Sequence, residues 1–120
     1  MATLNATLTL TSSDVSSDTL SIAVNDQLAT TDPAELARVS IATGSAQALI
    51  ASNSAFSYVY IKVESGENTT DWVQVLLGGH AKFKVRVGEF LFIPLYNSQA
   101  ITAEAQGGAC TVEYGAWSIA

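Results

Sequence analysis

The residue types that most often perform chemistry are scarce in this chain, in which His80 is the single histidine and Cys110 the single cysteine. One residue of each kind cannot form a His/Cys zinc cluster within a chain, and a lone cysteine cannot form an intrachain disulfide. A serine nucleophile would need a Gly-X-Ser-X-Gly turn or an acid that orients His80, and the sequence indicates neither. Cys110 shares a strand face with Val112 and Tyr114, which predicts a buried, inert thiol.

The 11 acidic residues are spread over predicted turns and strand exteriors. They form no recognisable pair of the kind that a glycosidase uses, and none has the spacing of a calcium-binding loop. No glycine-rich, phosphate-binding loop stands between a strand and a helix. We therefore predict that the protein is not an enzyme and has no catalytic residue, no cofactor and no metal.

Three of the 5 basic residues, Lys82, Lys84 and Arg86, occupy alternate positions of one short segment. In a strand they project from the same face, with Phe83 and Val85 on the other. This cationic stripe is either an ordinary solvent face with acidic cross-strand neighbours or a surface that meets an acidic partner. Acidic residues in the N-terminal third of a sister subunit would suit the second interpretation; they are Asp14, Asp18, Asp26, Asp32 and Glu35.

The segment Phe90 to Leu95 is apolar at every position. As a strand it places Phe90, Phe92 and Pro94 on one face and the alternate residues on the other. A strand that is apolar on both faces is normally covered on both, and proline favours an edge strand because it lacks an N–H group. An uncovered apolar edge would aggregate. We therefore predict a protein interface formed by Lys82, Lys84, Arg86, Phe90, Phe92 and Pro94.

Length and composition indicate one self-assembling domain over residues 1–120. The net charge of −6 argues against nucleic acid as a partner, and no apolar run is long enough for a membrane helix. Charged residues make up 13% of the chain, against about 25% in a typical globular domain. Since charged residues are depleted at interface cores, this favours a homo-oligomer.

Alternation of apolar and polar residues predicts strands along most of the chain. Leu4 to Leu10 and Leu20 to Val24 are typical of half-buried strands, while Val59, Ile61, Val63, Val73, Val75 and Phe83 are the predicted core. Gly78 and Gly79 predict a tight hairpin. Asp32-Pro33-Ala34-Glu35 is typical of a helix start, so we expect a turn or two of helix near Pro33 to Arg38. The turn spacing predicts an all-β fold, a single jelly-roll-like β-sandwich of about eight strands.

The segments YVYIKV, VGEFLFIPL, ITAEA and VEYGAW, within residues 56–117, resemble small β-sandwich virion proteins of tailed bacteriophages, especially marine and cyanobacterial phages. The resemblance implies a capsid decoration or cement protein, or a head attachment, without enzyme activity or cofactor. It implies two partners, a further copy of the chain (a homo-oligomer such as a trimer) and the major capsid protein. The protein would be made in the host cytoplasm and located in the virion, on the capsid surface.

Two other interpretations remain open. A carbohydrate-binding or adhesin module of a tail or fibre would use stacking rings, for which Tyr58, Tyr60, Trp72, Tyr96 and Trp117 are candidates. Rings in a shallow, exposed row would favour sugar binding, whereas buried rings would favour assembly. A small hydrolase or isomerase would need a carboxylate within hydrogen-bonding distance of His80.

Overall fold

The computed structural model describes residues 2–13, 20–30, 35–50, 56–95 and 100–118. Within these ranges the chain is all-β, with ten strands and no helix, and therefore no helix that could cross a membrane. The strands are β1 (Ala2–Ser12), β2 (Leu20–Thr30), β3 (Glu35–Ile41), β4 (Gln47–Ile50), β5 (Tyr58–Gly66), β6 (Trp72–Leu77), β7 (His80–Arg86), β8 (Phe90–Pro94), β9 (Ile101–Gln106) and β10 (Cys110–Trp117).

The chain divides into two compact units. The first contains β1 and β2, which pair as an antiparallel ribbon from Ala2–Thr30 to Ser12–Leu20. The second contains β3 to β10. The prediction of a single domain over residues 1–120 stays a prediction.

The second unit is a jelly roll. One four-stranded sheet has the order β3-β10-β5-β8, and the other has the order β4-β9-β6-β7. All strand pairs in both sheets are antiparallel. Successive strands alternate between the sheets except at the β6–β7 hairpin, as in the double-sheet jelly roll. The predicted all-β sandwich is confirmed. About eight strands were predicted for the whole chain, whereas the described residues form ten, eight in the sandwich and two in the β1–β2 ribbon.

The core lies between the two sheets and follows the period-two pattern. Strand β5 contributes Val59, Ile61 and Val63, and β6 contributes Val73 and Val75, all with at most 1% of their surface exposed. These five predictions are confirmed. Phe83 is half-buried and packs against the same core. Burial of each such side chain contributes about 1.5–3 kcal/mol, so these strands hold the two sheets together.

The predicted helical turn is wrong where the structure describes it. Glu35 to Arg38 belong to β3, which pairs with β10. Val39 and Ile41 are β-branched and face Val112 and Cys110 in that pair, so sheet packing outweighs the local helix-start pattern. The remaining residues of that pattern, Asp32, Pro33 and Ala34, lie outside the described residues.

The predicted β6–β7 hairpin is confirmed. Leu77 and His80 form its last pair, and Gly78 and Gly79 between them have φ values of 60° and 85°. A type I′ turn requires positive φ at both central residues, which glycine adopts without steric cost. The glycine pair therefore determines where β7 begins.

Candidate functional site

Strand β7 is an edge strand of one sheet and strand β8 is an edge strand of the other. Residues 87–89 join the two strands. Within the described residues, β7 pairs with β6 alone and β8 with β5 alone. The connection is held to β5, because the N–H of Gly88 donates to the carbonyl of Val63 at 2.8 Å. Arg86 and Glu89 close the turn, with Glu89 N donating to Arg86 O at 2.9 Å. Two open sheet edges therefore lie at consecutive positions of the chain.

The cationic stripe lies on the outer face of β7. Lys82, Lys84 and Arg86 are exposed, whereas Val85 is buried and Phe83 packs on the core. Lys84 and Arg86 alternate with the inward side chains of Phe83 and Val85 as the sequence predicts, whereas Lys82 lies at a register shift between Phe83 and the exposed Ala81.

The cross-strand neighbours of the stripe are not acidic. Trp72 faces Arg86 and Gln74 faces Lys84, and Lys84 Nζ lies 4.4 Å from the centroid of the Trp72 ring. Such a cation–π contact at an exposed site contributes about 0.5–1 kcal/mol. Trp72 thus positions Lys84, and the acidic cross-strand neighbours of an ordinary solvent face are missing from this strand pair.

Arg86 has an acidic partner within its own turn. Glu89 accepts a hydrogen bond from the backbone N–H of Arg86 at 2.8 Å and lies 3.5 Å from its guanidinium. Both side chains are at least half exposed, so the pair contributes little to stability. Within the described residues Lys82 and Lys84 form no ion pair, which leaves two cationic groups of the stripe available to a partner.

An open groove of about 580 Å³ runs between the two edge strands and is lined by residues 82–86 and 88–91. The groove therefore contains the whole cationic stripe together with Phe90. Phe90 is 59% exposed, so the same groove also presents an apolar side chain. A surface of this composition can bind an acidic segment that also carries an apolar side chain.

The outer face of β8 is exposed within the described residues, and its cover by a loop, a helical turn or another subunit stays a prediction. Leu91 and Ile93 pack on the core, but Phe90 and Pro94 are exposed and Phe92 is half-buried. The position of β8 at a sheet edge confirms the interpretation of Pro94 as an edge residue. The structure therefore brings all six predicted interface residues onto two adjacent edge strands, without showing what they contact.

An aromatic surface continues from β8 across β5 to β10, and we call it the aromatic face. Pro94 faces Tyr58, which faces Trp117 on its other side, and Phe92 faces Tyr60. The rings of Tyr58 and Phe92 are parallel within 5°, with centroids 6.1 Å apart. The sequence indicated the rings individually, but only the register of three strands places them side by side. All of these rings except that of Pro94 are half-buried.

A polar network borders the aromatic face. Arg38 Nε lies 2.8 Å from Glu64, its Nη2 donates to Glu113 at 3.3 Å, and the Tyr60 hydroxyl donates to Glu113 at 3.2 Å. Burial, and then the Glu113 carboxylate, raises the pKa of Tyr60. The hydrogen bond that Arg38 donates to the Glu64 carboxylate is the main reason that the pKa of Arg38 is raised. These contacts hold the polar side chains in place and keep the Tyr60 phenol protonated.

The histidine and the cysteine of the chain lie outside the lining of the groove. His80 is exposed at the first position of β7, and the described carboxylates form no ion pair with it. Cys110 is buried, as predicted. Burial raises the pKa of its thiol, and the Asp71 and Glu67 carboxylates raise it further, so the reactive thiolate is disfavoured. Across the described ranges no three His, Cys, Asp or Glu side chains come together as metal ligands.

No family model, curated protein or solved structure matches this chain. The protein is all-β, with a jelly-roll sandwich and a two-stranded β-ribbon. The resemblance to phage virion proteins stays a prediction.

Proposed function

We propose that this protein is a virion structural protein, a capsid decoration or cement protein that docks on or between capsid subunits. Its partners are further copies of itself and the major capsid protein, and its place is the outer capsid surface after synthesis in the host cytoplasm. It acts by burying surface on its neighbours rather than by chemistry.

The observation that carries the proposal is the juxtaposition of Phe90 and the cationic stripe in one groove. Phe90 is 59% exposed, and Lys82, Lys84 and Arg86 line the same space. Interfaces are typically held by a few apolar anchors, while charge complementarity sets the rate and orientation of docking. The whole chain has a net charge of −6, so the part outside these three cations carries −9, and a second copy can supply the complementary charge.

The rigid frame behind the groove supports the same function. The core strands β5 and β6 are each the direct partner of one edge strand, and their inward side chains are fully buried. A cement protein must present its contact residues without rearrangement, because ordering mobile groups at an interface reduces the affinity. The jelly roll presents both edge strands on such a frame.

The test is to locate the protein on particles that encode it. Immunogold electron microscopy should label the head, and a pull-down with the purified chain should retain the major capsid protein. Phe90→Ser should reduce retention at least tenfold, whereas His80→Ser, on an exposed position at the other end of β7, should not. Label on the tail alone, or equal retention by both variants, would overturn the proposal.

A second candidate function, a carbohydrate-binding module of a tail or fibre, is favoured by the aromatic face. Tyr58, Tyr60 and Trp117 lie on neighbouring strands of one sheet, beside the carboxylate of Glu113. Aromatic rings stack on the apolar faces of sugars, while carboxylates bind their hydroxyl groups. Titration with oligosaccharides, monitored by tryptophan fluorescence, tests it; a response lost in Trp117→Ala and kept in Trp72→Ala would favour this candidate.

A further inference from the structure

The ribbon of β1 and β2 has one apolar and one polar face. Its register places Leu4 opposite Leu28, Leu8 opposite Val24, and Leu10 opposite Ile22, so these pairs share one face. The alternate positions carry Thr3, Asn5, Thr7, Thr9, Ser21 and Asn25 on the other. The pattern matches the sequence prediction of amphipathic strands.

The apolar face is exposed, which the sequence did not predict. Leu8 and Ile22 are 40% exposed, Leu10 45% and Val24 54%. A two-stranded ribbon is only marginally stable in water unless a further strand or a packed surface covers its apolar side. A contiguous exposed apolar patch commonly marks an interaction site. This face is therefore a candidate contact surface.

We propose that the apolar face of the ribbon is covered by the same face of a second copy of this chain, so that two ribbons pack face to face. This inference names a second contact surface for the self-assembly in the proposed function, and it rests on residues separate from the groove between β7 and β8. The pairing is isologous, since the same residues meet from both sides.

The charge of the ribbon favours a second copy over a membrane or a nucleic acid. The first basic residue of the chain is Arg38, so residues 1–37 contain no Lys or Arg. Membrane-surface segments and nucleic-acid-binding segments both rely on Lys and Arg to meet phosphate groups. The exposed leucine, isoleucine and valine side chains instead match a neutral apolar surface, and a second ribbon supplies one of the same length and twist.

The area of the ribbon's apolar face limits the affinity of the contact between two ribbons. Each strand has 11 residues, so the ribbon is roughly 37 Å long and about 10 Å wide, and its footprint is roughly 370 Å². A stable protein interface buries about 800 Å² on each partner. Ribbon pairing therefore gives a reversible, concentration-dependent association that adds to other contacts of the assembled protein.

Asp26 provides an internal marker of the pairing. It faces Ala6 across the ribbon, at an alternate position that belongs to the apolar face. Covering this face removes water from the Asp26 carboxylate and so opposes association. Neutralising that charge should strengthen pairing without adding apolar area, an effect opposite to that expected if Asp26 formed an attractive contact with a basic partner.

The experiment measures self-association of the full chain by sedimentation equilibrium, without particles. The double variant Leu8→Thr/Val24→Thr keeps strand-forming residues but removes the central apolar pair, and it should weaken association at least tenfold. Asp26→Asn should strengthen it about fivefold. Ala23→Thr, on the polar face, is the matched control and should leave association unchanged. Emission from Trp72 and Trp117 reports whether the second unit stays folded.

A second measurement remains informative if the double variant disturbs the ribbon. Val24 lies near the middle of the strand, so Val24→Cys should form a disulfide-linked dimer under mild oxidation, whereas Ala23→Cys on the opposite face should not. Equal dimer yields from both, or association that is unchanged in the double variant and in Asp26→Asn, would overturn the proposal. Particle retention by the Phe90 variants is measured separately, so failure of one inference does not imply failure of the other.

Discussion

A Cβ atom on Gly107 would lie 2.5 Å from Oδ1 of Asp71, the buried polar residue of the described core. The Asp71 carboxylate accepts hydrogen bonds from the backbone N–H of Asn68 at 2.8 Å and from its side-chain amide at 3.4 Å. The Asp71 carbonyl also accepts from the N–H of Val87 at 3.4 Å. Asp71 thus links the loop before β6, the turn after β9 and the connection between the two edge strands.

Gly107→Ala should destabilise the protein by about 3 kcal/mol or more, because it combines a left-handed backbone with a steric overlap. Gly107 has a φ of +92°. Gly88→Ala is the matched control: its φ is +88° but the space around its Cβ position is open, so it should cost about 1–2 kcal/mol. Urea unfolding measures both. Equal costs would show that the Asp71 carboxylate moves aside freely.

Truncation of Ile61 should be among the most costly changes in the core. Its side chain is fully buried between the sheets, and Ile61→Ala should cost about 2–5 kcal/mol in the free energy of unfolding. Lys62→Ala, one position along the same strand on the outer face, should change stability by no more than about 0.5 kcal/mol. If the two costs were reversed, the faces of β5 would be assigned backwards.

The sequence was most informative where local pattern and tertiary packing agree. The alternation in β5 and the glycine pair at Gly78 and Gly79 both correctly predicted their elements, because each pattern is satisfied by its immediate neighbours. It was misleading at Glu35, the last residue of a typical helix-start pattern, because this residue begins a strand. The conformation of this segment is determined by the pairing of β3 with β10, in which Arg38 contacts Glu113, about 75 residues further along the chain. A local sequence pattern contains no information on such a distant partner.

A candidate site could be predicted from the sequence only where its residues lie close together in the chain. The cationic stripe and Phe90 come from consecutive strands, so their proximity follows from one connection. The aromatic face combines Tyr58 and Trp117 through strand register, which a single sequence does not reveal. For the ribbon, alternation predicts an apolar face at Leu8 and Val24, but it does not say whether anything covers that face.

The buried thiol of Cys110 should make stability depend on pH in the alkaline range. Its pKa is raised in the folded protein, so this contribution is complete below the unfolded thiol's pKa of about 8.5 and is lost as the pH rises through the folded value. Unfolding measured at pH 7 and about pH 9.5 should show a greater loss for the wild type than for Cys110→Ala. The same slope in both proteins would mean that other groups cause it. Native Cys110 should also react slowly with iodoacetamide.

The cationic stripe should control how fast the protein docks. Replacement of Lys82, Lys84 and Arg86 by serine changes the net charge from −6 to −9 but removes no described contact of large energy, since exposed ion pairs are typically worth about 0–1 kcal/mol. Stability should therefore change little. The docking rate on particles stripped of the protein should fall as salt rises in the wild type, because charge attraction is screened beyond about 8–10 Å at moderate ionic strength.

The triple variant should dock slowly at all salt concentrations and lose most of that salt dependence. Arg38→Ser removes a cation from β3, at the opposite edge of the sheet that contains β8; it is the control and should retain the wild-type dependence. Stopped-flow light scattering at two salt concentrations distinguishes the cases. If wild type and triple variant dock equally fast at both concentrations, the stripe is a solvated face, and docking rests on Phe90 and the apolar side of β8 alone.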